Sequence, residues 1–388
     1  MAALSTNEHE DFRRMVREFA RTRIAPHVAQ WDKDHHFPVH VVREMGDLGL
    51  FGITAPAAYG GSEADFTSLC IAIEELGRVD QSIGITLQAG VGLGINPLVA
   101  YGSEEQKERW LPDLVAGRAL AGFGLTEPGA GSDAGATRTR AVLDGDEWVV
   151  DGAKQFITNS GSEITSLVTV TARTGERADG RPEISAICVP AGTRGFVAEA
   201  PYDKLGWHIS DTHALTLTDV RVPADHLLGE RGRGYAQFLA TLDDGRIAIS
   251  ALAVGCLQAC LDLCVEYAGQ RETFGVPIGA KQGVAFQVSD LAVMLEGARA
   301  LTYRAARLKD AGAPSAEVKQ AASIAKLYST EAAVTGSRIA TQVFGGYGFM
   351  EEYPVARFYR DAKILEIGEG TSEVQRMLIA RGLGLPVE

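Results

Sequence analysis

The stretch Leu125-Thr126-Glu127-Pro128-Gly129-Ala130-Gly131-Ser132-Asp133-Ala134 decides between two folds. Gly129, Gly131 and Ala134 satisfy the G-x-G-x-x-A spacing of a dinucleotide-binding turn, which would make the chain a doubly wound α/β protein. Such a turn must leave a strand and open a helix inside a βαβ unit. Here Pro128 interrupts, and short β-like runs follow: EWVV, QFIT, LVTVTAR, ISAICVP and ALTLTDVRVP, bounded by Asp-Gly, Asn-Ser-Gly and Pro-Ala-Gly turns. No helical pattern separates them, so residues 121–230 read as a small domain of antiparallel sheets or a barrel. Two readings of LTEPGAGSDA stay open: a loop that only turns the chain between domains, or a glycine-lined cradle. In the second, backbone N–H groups and the Thr126 and Ser132 hydroxyls would hydrogen-bond a flat heterocycle.

On either side the periodicity is helical. In residues 1–120, Phe12, Val16 and Phe19 recur at helical spacing with Arg and Glu between them, and VHVVREMGDLGLFGI and SLCIAIEELGRV repeat the amphipathic theme, punctuated at Pro56 to Gly61. In residues 231–388, proline between Pro223 and Pro354 occurs only at Pro277 and Pro314. The intervals are rich in Ala and Leu, which predicts three long helices and a short terminal one packed as a bundle.

The bulk numbers agree with several soluble domains. A chain of 388 residues, 46% hydrophobic and 22% charged, shows no apolar run near the roughly 20 residues that span a bilayer, so no membrane span is expected. A net charge of −13 would repel a polyanion, so no nucleic acid partner is expected; a helix N-terminus can still hold one phosphate. MAALSTNEHEDF carries acid where a leader would carry Arg and an apolar stretch, and a cytoplasmic address is the expectation. Five cysteines, an odd number, argue against a disulfide framework. Cys256, Cys260 and Cys264 share one helix face, but no His or fourth Cys adjoins them, so a buried helix is expected and no metal. His35 and His36 read as loop residues with no catalytic part.

Five segments in order, LTEPGAGSD, Phe156-Ile157-Thr158, Arg271-Glu272-Thr273-Phe274-Gly275, Gln342-Val343-Phe344-Gly345-Gly346 and Glu369-Gly370-Thr371-Ser372-Glu373, make the whole chain resemble the acyl-CoA dehydrogenases. The resemblance implies an α+β multidomain fold: a helical N-terminal domain, a middle β-barrel and a C-terminal four-helix bundle. It also implies a homotetramer, a dimer of dimers, with FAD between barrel and bundle, an acyl-CoA substrate, and electron-transferring flavoprotein as acceptor in fatty acid β-oxidation. Phe123, Leu125, Thr126, Gly131 and Ser132 would line the flavin ring with Phe156 and Ile157, and Thr158 would lie near the reactive N5. Arg271, Thr273, Phe274 and Gln282, with Gln342, Val343, Gly345 and Gly346, would hold the pyrophosphate and adenosine of a neighbouring subunit's FAD. Thr371, Ser372 and Glu373 would hold the near phosphates, and Ser372-x-x-Gln375 reads as a capping box that places a helix N-terminus there. Asp243 and Arg246 would contact the CoA arm, Ser132 the pantetheine, and Gly370 the substrate, although LDDGRIA without the family reads as a solvated acid pair.

By the same resemblance the α-proton of the thioester leaves to Glu369 and the β-hydrogen to the flavin, giving the trans-2-enoyl-CoA. A carboxylate needs two aids to deprotonate such a carbon. One is an oxyanion site, assigned by resemblance to the Glu369 backbone N–H and a ribityl hydroxyl; the other is desolvation, which raises the carboxyl's pKa. Gly368 and Gly370 would let the backbone approach the thioester closely. Glu366 competes, but reads as paired with Lys363 or Arg360, and the position where some members carry the base on an earlier helix is Gly245 here. Gly368, where many members have tyrosine, leaves room for a branched acyl group, and Phe156 replaces a common tryptophan. Thr86 to Gly94 reads either as the far end of the acyl pocket or as close helix packing. Alternatives are an oxidase or monooxygenase of the same fold, a carrier-protein thioester dehydrogenase, and a non-catalytic acyl-CoA or flavin scaffold.

Overall fold

The computed structural model describes residues 7–387, so the leader expectation for residues 1–6 lies outside them. Seven helices lead: α1 Asn7–Phe19, α2 Val28–Asp34, α3 Val39–Asp47, α4 Phe66–Gly77, α5 Gln81–Gln88, α6 Asn96–Tyr101 and α7 Glu104–Val115. α1 turns Val16 and Phe19 inward and carries Glu8 and Glu10 in its first turn, where the helix dipole favours them. Asp65 caps α4 by accepting from Ser68 N at 2.8 Å, Asp80 caps α5 from Ile83 N at 3.0 Å, and Ser103 with Gln106 closes a capping box on α7. α4 and α5 are buried along their whole length. α5 runs into a π-helical turn, Ala89–Ile95, whose Gly90 and Gly94 sit where a Cβ would meet the Phe51 ring at 2.6 Å and the Ala121 carbonyl at 2.9 Å. Those two glycines therefore serve close packing, one of the two readings of this stretch.

The strands are β1 Leu120–Gly124, β2 Arg140–Asp144, β3 Glu147–Thr158, β4 Thr165–Glu176, β5 Pro182–Pro190, β6 Phe196–Ala198, β7 Thr212–Pro223 and β8 Leu227–Leu228. They form one eight-stranded sheet in the order β6-β7-β3-β2-β4-β5-β8, with β1 beside β4. β1 and β4 run parallel, as do β2 and β4 at Arg140 and Arg173, so the wholly antiparallel expectation is corrected at those two pairs. The LTEPGAGSD loop and the β2–β3 hairpin supply the return path that a helix supplies in a βαβ unit. The loop holds a tight turn in which Glu127 and Ala130 exchange two backbone hydrogen bonds, at 3.0 and 3.1 Å, a 3-10 turn at Ala134–Ala136 follows it, and no dinucleotide-binding helix does. Trp148, Val150, Val170, Ile187, Val189, Leu217 and Val222 alternate inward to give the sheet its own core.

The remainder is α8 Gly234–Gln270, a small hairpin of β9 Glu272–Thr273 and β10 Val276–Pro277, α9 Gln282–Asp310, α10 Ser315–Phe344, α11 Pro354–Ala362 and α12 Ser372–Gly382. Two short helices, not one, follow the three long ones, because the Gly368–Gly370 break separates α11 from α12. α8 packs on α4 closely enough that a Cβ at Gly255 would lie 2.5 Å from the Glu74 carbonyl. Cys256, Cys260 and Cys264 are free thiols buried along α8. The spans Gln81–Tyr101 and Gly234–Gln270 are long and apolar enough to cross a membrane by length and composition, which corrects the count of apolar runs made from sequence. In each, 78% of the apolar window is buried inside the protein, so the apolarity fills the core.

Candidate active site

The 3-10 turn Lys363–Glu366, which extends α11, and the N-terminus of α12 bracket Gly368, Glu369 and Gly370. Glu369 has φ +54°, a left-handed backbone that costs a non-glycine residue about 1–3 kcal/mol, and Gly370 follows at φ +93°. Neighbours hold this shape. Lys326 on α10 donates from Nζ to the Gly370 carbonyl at 2.8 Å, and Gln375 on α12 donates from Nε2 to the same oxygen at 2.9 Å. Gly368 N–H closes onto Ile364 O at 2.8 Å. Among the described residues the Glu369 N–H has no hydrogen-bonded acceptor.

The side chain of Glu369 points inward. Its Oε1 accepts from Gln88 Nε2, at the end of α5, at 2.7 Å. Its Oε2 is covered yet has no partner. Behind Oε2 stands Gly245 of α8, where a Cβ would come within 1.8 Å of that oxygen. Any larger residue at 245 would displace the carboxylate, so the glycine is what lets this glutamate occupy the position. Burial pushes the Glu369 carboxyl up to about 7, against the Gln88 hydrogen bond and the nearby Lys326 and Arg246 charges, which pull it down. A carboxyl that titrates near neutrality and keeps one oxygen unengaged is equipped to take a proton.

Around this centre two readings made from sequence change. The residue that caps α12 is Thr371, whose side chain accepts from Val374 N at 3.3 Å; Ser372 lies inside the helix with its Oγ buried and unpartnered. Gln375 takes no part in a capping box, because its amide is committed to the Glu369–Gly370 loop. Glu366 pairs with Lys363, while Arg360 pairs with Asp32 and Glu351. LDDGRIA is not a surface turn: Arg246 is buried inside α8 and pairs with Asp243 one turn before it, its Nε without a partner, and Asp244 pairs with Lys309 of α9 at 2.8 Å.

The residues expected to line a flavin divide by what their side chains already touch. Phe123 is buried and stacks on Phe238 at 3.8 Å between ring centroids, Leu125 is buried, and Ile157 points into the sheet core. Their side chains belong to the protein interior, and their backbones are already partly engaged: Leu125 N donates to Phe123 O at 3.2 Å, Lys154 Nζ to Leu125 O at 3.4 Å and Ser160 Oγ to Ile157 O at 2.7 Å, so a ligand would share these carbonyls. Gly131 and Ser132 are exposed, Thr126 and Thr158 are half-buried, and a Cβ at Gly129 or Gly131 would meet nothing within 4 Å. Phe156 stands 61% exposed at φ +62° beside Tyr202. These open glycines, the bare aromatic face and the orphaned Ser372 hydroxyl at the start of α12 fit a flat ring with a phosphate tail.

A second group gathers at the far ends of α8 and α10. Phe274 is 96% exposed at φ +53°, Arg271 lies 5.5 Å from the Tyr347 ring, and Gln282, Gln342, Gly345 and Gly346 are exposed beside a half-buried Thr273. Val343 is buried in the bundle.

Three partners escaped the sequence reading. Glu127 is buried in LTEPGAGSD and bonds Lys154 at 2.8 Å, the Thr137 hydroxyl and the Arg138 and Thr139 N–H groups, which locks the loop. Its carboxyl is held down at about 2; burial opposes that shift, but the Lys154 charge and these hydrogen bonds outweigh it. Gln88 and Lys326 were missed as well. The available signal was one long polar side chain among small and apolar residues, Gln88 in SIGITLQAGVGLGI and Lys326 in AASIAKLY, which marks a buried polar group but not its partner.

The chain matches models of the acyl-CoA dehydrogenase N-terminal domain at residues 6–118, middle domain at 122–220 and C-terminal domain at 232–384. It is 48% identical over 378 residues to the probable acyl-CoA dehydrogenase YngJ of Bacillus subtilis (strain 168), covering 97% of this chain and 98% of that protein. It is 43% identical over 372 residues to the mitochondrial short-chain specific acyl-CoA dehydrogenase of Bos taurus, covering 96% and 89% respectively. It superposes on butyryl-CoA dehydrogenase from Megasphaera elsdenii with a TM-score of 0.93 at 39% identity, over 98% of both chains.

Proposed function

The chain belongs to the acyl-CoA dehydrogenase family of oxidoreductases, and we propose that it dehydrogenates a short or branched acyl-CoA thioester with Glu369 as the base. The observation that carries the reading is the Glu369 carboxyl: buried, pushed up to about 7, one oxygen held by Gln88 and the other free. FAD, when bound, supplies the acceptor for the β-hydrogen as hydride. Glu369 takes the α-proton on Oε2, and its unengaged N–H donates to the thioester oxygen as negative charge develops there. Gly370 keeps the backbone beside that oxygen free of a side chain.

Thr126, Gly131, Ser132, Phe156 and Thr158 would hold the ring of FAD, with backbone from Phe123, Leu125 and Ile157, and Thr371, Ser372 and Glu373 its phosphates. The N-terminus of α12 offers unpaired N–H groups and a positive dipole end to that anion. Arg271, Phe274, Gln282, Gln342, Gly345 and Gly346, with the half-buried Thr273 and with Val343 buried behind them, form an exposed surface suited to the cofactor of a second copy, consistent with a homotetramer. Arg246 and Asp243, already paired, would face the CoA arm. The electrons would pass to electron-transferring flavoprotein. A short or branched acyl group is favoured because a Cβ at Gly368 would meet only the Ile364 carbonyl, at 3.5 Å, leaving space beside the base. The short-chain and butyryl-CoA relatives support the same size class.

Two measurements test the proposal. Glu369→Gln is expected to keep its flavin and lose at least about 100-fold in the rate at which acyl-CoA bleaches it. Near wild-type bleaching by that variant would overturn the assignment. Turnover of butyryl-, isobutyryl-, isovaleryl- and octanoyl-CoA is expected to favour the shorter or branched acyl groups; a clear preference for octanoyl-CoA would overturn the size class.

A further inference from the structure

Gln88 has no structural reason to be where it is. It is fully buried at the end of α5, its Oε1 has no hydrogen-bond partner, and its amide reaches Glu369, 281 residues away, at 2.7 Å. Buried amides normally satisfy both ends, and leaving one unmade is costly. Lys326 is similar. It is fully buried on α10, and its Nζ reaches the Gly370 carbonyl at 2.8 Å. Burial pushes its ammonium down to about 8, which leaves it a cation at neutral pH.

We propose that Gln88 and Lys326 are positioning residues for the catalytic base, Gln88 holding the Glu369 carboxylate in one rotamer and Lys326 holding the left-handed loop that carries it. The inference rests on the reading of Glu369 as the base. Neither residue touches the reacting carbon through a bond of its own; each acts through Glu369. The two contacts are complementary. Gln88 engages Oε1 and so places the unpartnered Oε2 against Gly245, in the room left by its missing Cβ, and Lys326 ties down the carbonyl next to a residue at φ +54° that would otherwise relax.

The groups facing Glu369 are Gln88 from α5, Arg246 with its partner Asp243 from α8, and Lys326 from α10. Lys326 in turn feels Glu366 of the preceding turn and Glu331 of α10. Removing the Gln88 donor or the Lys326 cation each takes away something that favours the ionised carboxylate, so both changes move the titration of Glu369 in the same direction, upward.

The test uses the flavin-loaded enzyme as wild type, Gln88→Leu, Lys326→Met and Lys326→Arg, each checked for bound flavin and melting temperature. Bleaching by butyryl-CoA is followed across a pH series, and the Glu369 carboxyl is titrated without turnover by infrared difference spectroscopy, its band assigned by loss in Glu369→Gln. Gln88→Leu is expected to move both titrations upward by about one pH unit and to lower the limiting bleaching rate by roughly tenfold. Lys326→Met is expected to shift the same way, and Lys326→Arg, which can still donate to the carbonyl, to recover most of the rate. Unchanged titrations and an unchanged limiting rate in Gln88→Leu would overturn the inference. That variant nearly preserves volume, so it decides the matter even if Lys326→Met loses its flavin. Failure of the base assignment reads differently, because Glu369→Gln would then still bleach.

Discussion

Glu369 sits where desolvation outweighs the groups that favour its charge, and two consequences follow from that balance. As the proposed base, Glu369 works only when ionised, so bleaching is expected to rise with pH through about 7. The same shift bears on stability. The folded state binds the Glu369 proton more tightly than the unfolded chain, so its contribution is present below about 4.5 and is lost as pH rises through about 7. Glu369→Gln carries no such charge. It is therefore expected to be more stable than wild type at pH 8, by at most about 3 kcal/mol, and to converge with it under acid conditions, as paired thermal melts across pH would check. The residue was legible in sequence because two glycines flank it within a motif. Its hydrogen-bond partner was not, since nothing local to Gln88 marks a side chain that meets it 281 residues later.

At the scale of elements, the start of α12 shows how a local pattern can be read one residue late. Thr371 and Ser372 both precede acceptable helix, and Ser372 with Gln375 satisfies the capping-box spacing. Gln375 is instead drawn to the Glu369 and Gly370 carbonyls, which leaves Thr371 as the cap. Thr371→Ala is expected to cost about 1 kcal/mol in denaturant unfolding, and Thr371→Ser almost nothing. The same substitution should weaken flavin retention, because it loosens the helix end proposed to face the phosphates. The parallel pairing of β1 with β4 has a similar origin: the strands were legible from alternation, but their partners depend on a loop locked by the buried Glu127–Lys154 pair.

Across the whole molecule, the three regions meet on a cluster of buried acids. Asp32 of α2, Asp80 at the α5 cap and Asp361 of α11 face Arg357, Arg360 and the Trp207–His208 turn of the middle region. Asp361 Oδ1 accepts from Trp207 N at 2.7 Å, yet burial, with Asp80 and Asp32 nearby, pushes its carboxyl up to about 8. Such a group is protonated at neutral pH in the folded state, so its contribution to stability declines from about 3.8 and is gone above about 8. Asp361→Asn mimics the protonated acid. It is expected to match wild type only below about pH 3.8, to melt higher at pH 6 and higher still at pH 9; a difference between the two melting temperatures that stays constant from pH 4 to pH 9 would contradict the protonated junction.

The sequence by itself determined the order of helical, β and helical regions, the exclusion of a dinucleotide turn at LTEPGAGSDA, and the identity of Glu369 as the acid between two glycines. Those properties live in periodicity and in short-range backbone chemistry, which neighbouring residues specify. Tertiary structure alone decided which carboxylate oxygen is free, that Gly245 makes room for it, and that Gln88 and Lys326 hold it in place. Those depend on α5, α8 and α10 converging on one loop, and on the water their packing excludes, a quantity that no local stretch of sequence carries.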